Sequence, residues 1–278
     1  MQAWPRGVAM ASRRHRFERL LAAMALAGAV LLWPGAGQAA ARADPRPPLM
    51  VDLEVGLAGL MSLTELEFQK MSEALQQVAM SDVAASAQWE RIEPLLRWVR
   101  DRNMPALVWF ALPDGSYWSV DGGKAEGNLS RRDYFPRVLA GQLILGELVV
   151  SYATGRSSGI VAVPVRRDGE TVGVLGASVF LDAFSEELRS RLGLRPPLIF
   201  FALDSEPLLA LDWMSEVFEN PKQLGSPSLA RAVNQMLAGE EGRVRYEYQG
   251  RQRVVLYRKS KVLPWWFALG VLRDDGGR

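Results

Sequence analysis

The spacing of apolar positions changes several times along the chain, and each change marks an element. Leu53, Leu57, Leu60, Thr64, Phe68, Met71, Leu75 and Val78 are separated by three or four residues, the spacing of one helix face. Glu65, Glu67, Gln69, Lys70 and Glu73 decorate the other faces. The pattern predicts a long amphipathic helix from Val51, whose stripe packs on the rest of the fold or forms a dimer seam. A break is expected over residues 81–86. A second helix follows, with Trp89, Ile92, Leu96 and Val99 on one face. Pro94 is expected to kink it or to start a new segment.

Past Met104 the pattern becomes that of strands. Residues 106–112 read as a buried strand, Pro113-Asp114-Gly115 as a turn, and 116–120 as its hairpin partner. Residues 121–130 are polar and glycine-bearing, hence an expected loop. A short helix is predicted from Asp133 to Leu139, with Pro136 in its first turn. Strands follow at 146–152, 159–166 and 170–180, with a turn at Arg167-Asp168-Gly169, then a helix at 181–192. After Arg195-Pro196-Pro197 the plan repeats in smaller form. Strands are predicted at 198–203 and 208–211, a helix at 228–237, and strands at 242–248, 251–258 and 265–271, with a turn at Gln249-Gly250. The reading is an α+β chain: a long N-terminal helix, then two modules with antiparallel sheets.

Composition changes this picture at the N-terminus. Arg13-Arg14-His15-Arg16 precedes an apolar run over 20–33, and small residues fill 38–43. This is the layout of a cleaved secretory signal peptide, assigned to residues 1–43. A periplasmic protein is expected. An uncleaved signal anchoring the chain in the inner membrane is the alternative. Residues 44–104 then form a proline-rich linker and the N-terminal helices. The formal net charge is +2. Without Arg6, Arg13, Arg14, Arg16, Arg19 and Glu18, 28 basic and 30 acidic residues remain, which gives no case for nucleic-acid binding.

Two absences restrict the chemistry. The chain has no cysteine, and its only histidine is His15 in the leader. Thiolate catalysis, Ser-His-Asp catalysis and Cys/His metal sites are thereby excluded. No catalytic residue, metal ligand or cofactor is assigned. The candidate functional residues are instead cationic, hydroxyl and aromatic groups at the seams of the first module. Arg132 can hold a carboxylate through two parallel hydrogen bonds, and Tyr134 can donate to the same group. Tyr117 and Trp118 alternate across a hairpin, so one faces the core and one can roof a pocket. Ser151, Tyr152 and Thr154 follow a strand and either finish a polar rim or serve a turn. Arg156 is a second cation or a solvated residue, and Trp109 is assigned to the core.

Arg132-Asp133-Tyr134-Phe135, Gly155, Ala162-Val163-Pro164-Val165 and Gly173-Val174-Leu175-Gly176 occur in an order and spacing that resembles the Cache family. These are extracytoplasmic sensor domains with a PAS-like fold. The resemblance runs from about Leu53 to Leu272. It implies a double-Cache layout, with a membrane-distal module at 105–194 carrying the ligand site and a membrane-proximal module at 195–278. It further implies that Arg132 and Tyr134 face ligand. Amino-acid-binding Cache domains resemble R-x-W-Y-x-x-A, with an aspartate later in the G-V-x-G-x-D run. Here those places hold Tyr134, Phe135, Val138 and Ser178. A serine cannot compensate a buried ammonium, so the expected ligand is a small organic anion without an amine. The expected function is binding and sensing, with the signal passed to a membrane-bound sensor partner. The alternatives are a cell-envelope hydrolase using Asp/Glu, and a ligand-free module that homodimerises through the N-terminal helix.

Overall fold

A computed structural model describes residues 52–212 and 219–273. The leader, the proline-rich linker and the C-terminal tail expected from the sequence lie outside the described residues. No helix among the described residues is long and apolar enough to cross a membrane.

The chain opens with α1 (Leu53–Ala79), where the Asp52 side chain caps the N-terminus by accepting from the Glu54 N–H. A one-turn helix, α2 (Asp82–Ala85), occupies the segment expected as a break, with Ser81 as its cap. Helix α3 (Trp89–Arg102) runs through Pro94 without starting a new segment. Proline removes one backbone donor, and the buried Ile92, Leu96 and Val99 on either side hold the helix down.

Seven elements build the first module: β1 (Ala106–Ala111), β2 (Ser116–Ser119), β3 (Gly123–Asn128), α4 (Tyr134–Leu139), β4 (Ile144–Val150), β5 (Ser157–Arg167) and β6 (Glu170–Phe180). Helix α5 (Leu181–Arg191) leads out of it. The second contains β7 (Leu198–Leu203), β8 (Leu209–Asp212), α6 (Pro227–Ala238), β9 (Glu241–Tyr248), β10 (Arg251–Lys259) and β11 (Trp266–Arg273). A 3-10 turn at Pro221–Gln223 precedes α6. The sheet orders are β3-β2-β1-β6-β5-β4 and β8-β7-β11-β10-β9. With β3 set aside, the second order repeats the first strand for strand. Strand β3 lies where a loop was expected. It pairs with β2 alone and forms the sheet edge, so its residues alternate between half-buried and exposed and show no apolar run. Asp168 with Gly169 and Gln249 with Gly250 all have positive φ, as two-residue hairpin turns require.

The two sheets share one wall. Leu57, Leu60, Phe68, Met71 and Leu75 of α1 belong to a single core with Val161, Val163, Leu175, Ala177 and Val179 of the first sheet and Trp265, Phe267 and Leu269 of the second. The Leu57–Leu60–Phe68 stripe is therefore buried within its own chain and is not the dimer seam considered above. The Phe68 ring meets Phe184 and Trp265 edge to face, with centroids 5.8 and 5.2 Å away. Trp265 donates its indole N–H to the Gly146 carbonyl at 2.9 Å. Gly146 lies at the irregularity in the β4–β5 pairing with φ +80°, and a Cβ there would come within 2.9 Å of Leu263. The outer face of each sheet has its own smaller core, under α4 in the first module and under α6 in the second.

Phe68→Ala removes the ring between the sheets and is expected to cost about 3–5 kcal/mol. Urea unfolding followed by tryptophan fluorescence and by far-UV circular dichroism should show one shared, shifted transition. Two separate transitions would mean that α1 does not unite the sheets.

Candidate ligand-binding site

The outer face of the first sheet holds a small enclosed cavity of about 20 Å³. Its floor depends on a glycine. Trp109 on β1 pairs with Gly176 on β6, and a Cβ at Gly176 would lie 2.2 Å from the indole. The missing side chain lets the indole lie across β6 and donate its N–H to Ser178 Oγ at 3.2 Å. Tyr117, from β2, meets the Trp109 ring edge to face at 6.4 Å. Tyr134, from α4, is buried on the other side. Ser151, beyond the end of β4, and Ile160, on β5, complete the wall with Leu107, Leu129 and Val149.

Arg132 and Tyr152 close the mouth. The Arg132 guanidinium lies 3.4 Å from the centroid of the Tyr152 ring and donates to the Val150 carbonyl. No carboxylate pairs with Arg132 among the described residues. The nearest cation to both tyrosine hydroxyls is thus held by a π-face and one carbonyl. Burial pushes the Tyr134 hydroxyl far above its usual pKa, and Arg132 offsets this only in part. Tyr117 is raised by burial as well, with Arg132 again opposing. Neither hydroxyl has a hydrogen-bond partner among the described residues. Both remain neutral donors at physiological pH.

Of the residues singled out in the sequence, Arg132, Tyr134, Tyr117, Ser151 and Ser178 converge on this cavity. Thr154 does not. It is exposed, and its hydroxyl accepts from the Arg156 N–H at 3.3 Å while its own N–H donates to Ser151 Oγ. That is turn chemistry. Arg156 is paired with Asp182 at 2.5 Å and lies over Phe180. Trp118 faces away and stacks on Phe110. Trp109 is buried in the core as expected and also floors the cavity, a role not assigned from the sequence, and Tyr152, one of the expected rim residues, stands at the mouth through its ring. The glycine opposite Trp109 was the available signal for the first.

No protein-family model matches the sequence, and no curated protein is significantly similar to it. Solved structures do match. An extracellular ligand binding receptor from Desulfohalobium retbaense superposes with a TM-score of 0.63 at 16% identity, over 80% of this chain and 40% of that longer one. The ligand-binding domain of the Pseudomonas fluorescens chemoreceptor CtaA, in complex with L-alanine, gives 0.59 at 17% identity, over 81% and 95%. The sensory domain of the Campylobacter jejuni chemoreceptor Tlp3, with isoleucine bound, gives 0.56 at 13% identity, over 80% and 89%. The chain has a double-Cache fold. In this double-Cache fold the cavity lies on the face of the first sheet covered by α4, away from α1.

The buried tyrosines give the fold an alkaline limit. An unfolded tyrosine ionises near pH ~10, whereas burial keeps Tyr134 protonated well beyond that. Its contribution is complete below pH 10 and is lost as pH rises above it. Urea midpoints at pH 8–11.5 should be level up to about pH 10 and then fall, and Tyr134→Phe should flatten the fall by up to about 1.4 kcal/mol per pH unit. An unchanged slope in Tyr134→Phe would show that this hydroxyl is not held neutral.

Proposed function

We propose that the protein is an exported small-molecule sensor that binds an organic anion in its first module and reports occupancy to a membrane-bound partner. One observation carries the reading: a guanidinium and two neutral tyrosine hydroxyls meet at one cavity whose described lining holds no carboxylate. A cation with two donors matches a carboxylate. The chemoreceptor domains of like fold that carry alanine or isoleucine support a sensing role for this scaffold. The lining here differs from an amino-acid site in one respect. An ammonium placed against Ser178 would find a hydroxyl already engaged by Trp109, and a buried ammonium without a negative partner is strongly disfavoured. The ligand is therefore a carboxylate without an amine.

The cavity is smaller than such a ligand, so binding turns Arg132 off the Val150 carbonyl and inward. Tyr152, exposed and carried on the turn after β4, moves with it. The extracytoplasmic location follows from the leader pattern in the sequence together with the sensing role.

Calorimetry with a panel of four-carbon organic acids and the common amino acids tests the assignment. At least one organic acid should bind and no free amino acid should. Arg132→Ala should weaken binding about 10- to 100-fold, the worth of one charge-assisted hydrogen bond. Ser178→Asp should admit amino acids by supplying the ammonium partner. Tight binding of an amino acid by the wild-type protein would sink the specificity, and binding indifferent to Arg132→Ala would sink the site.

A further inference from the structure

The second module contains a charged residue at a position where its strand pattern calls for an apolar one. Along β10, Arg253, Val255 and Tyr257 point to the same side, and all three are buried. Val255 and Tyr257 pack in the core under α6. Arg253 is only 7% exposed, and it pairs directly with Tyr246 on β9. Its Nε is out of reach of solvent and has no hydrogen-bond partner among the described residues. The guanidinium lies 4.7 Å from the centroid of Tyr248 and 5.9 Å from that of Tyr246.

A cavity of about 40 Å³ opens beside it, walled by Phe201, Leu209, Asp212, Tyr246, Tyr248 and Arg253 on the sheet side. Leu224, just after the 3-10 turn, and Leu229, in the first turn of α6, close the other side. Strands β7 to β11 repeat the order of the first sheet, so this cavity is the architectural counterpart of the one beneath α4. It is the larger of the two.

A buried guanidinium N–H left unmade is destabilising, and native interiors leave few such donors. Arg253 lines the cavity, and a turn of its guanidinium toward a carboxylate held there would give this N–H its partner. We propose that the second module holds a binding site of its own, in which Arg253 receives the carboxylate of a short monocarboxylic acid. Tyr246 is a second donor. Burial raises its pKa to about 12 against the opposing influence of Arg253, so it carries its proton at physiological pH. Phe201 and Leu209 supply apolar wall for a short alkyl group. Size restricts the ligand. At about 10–15 Å³ for each water-sized group, the cavity of about 40 Å³ holds about three to four such groups, the scale of acetate, with propionate at the limit. This site shares no residue with the first-module cavity and does not rest on the function proposed for that cavity.

Thermal unfolding in sodium acetate or sodium propionate, against sodium chloride at equal ionic strength, tests the proposal. The wild-type protein should gain about 3 °C or more in Tm with one of these acids. Arg132→Ala should keep the gain, because it alters only the first module. Arg253→Gln should lose it. Should Arg253→Gln fail to fold, Arg253→Lys retains the charge without the planar fork, and the acid concentration for half the effect should rise at least about tenfold. Carbon NMR of carboxyl-labelled acetate provides a readout independent of stability: its line should broaden with wild-type protein, broaden less with Arg253→Lys and stay sharp with Arg253→Gln. No gain in wild-type Tm, or a gain that survives in both Arg253 variants, overturns the proposal. A gain lost in Arg132→Ala but kept in Arg253→Gln assigns the acid to the first cavity and also overturns it.

Discussion

Burial of one face of α1 between two sheets is the constraint on which the rest of the structure depends. Each sheet needs both faces covered. Helices α4 and α6 cover the outer faces, and α1 covers the inner faces of both. Phe68 is the contact point of this arrangement, because its ring touches α5 on one side and Trp265 on the other. Trp265 in turn is bonded to the bulge at Gly146. Each outer face carries a small cavity beneath its helix.

Most of this architecture was legible in the sequence. The stripe of α1 follows a strict three-four spacing, and both hairpin turns carry their glycines at Gly169 and Gly250. The repeat of strand pair, helix and three strands is visible without any sequence similarity between its halves. Strand β3 was hidden because an edge strand with one neighbour buries little and so needs few apolar residues. Pro94 does not start a new helical segment, since one missing backbone bond is a local loss and the burial of the flanking helical face outweighs it.

The candidate site was legible in its chemistry but not in its geometry. Arg132, Tyr134, Tyr117, Ser151 and Ser178 were recognisable as residues able to serve an anion, and the fold gathers them. Thr154 belonged to the same class, yet its position in a tight turn uses its hydroxyl locally. The contact between Arg132 and Tyr152 joins two segments through a side-chain rotamer, and no periodicity encodes that. Arg253 is the opposite case. Its place in the R-Q-R-V-V-L-Y run gives it the same parity as Val255 and Tyr257, so period two alone marks a charge turned into a core.

The Arg132–Tyr152 stack has a consequence for how strongly the first cavity could hold a guest. An unoccupied guanidinium would ordinarily sit in water and shed its hydration on complexation. Here it already rests on an aromatic face and a peptide oxygen, so a guest competes with the protein's own substitutes rather than with solvent. Affinity becomes the difference between two sets of contacts to the same cation, and a difference of that kind is small. For the proposed ligand, such a balance would favour rapid, reversible occupancy over tight retention.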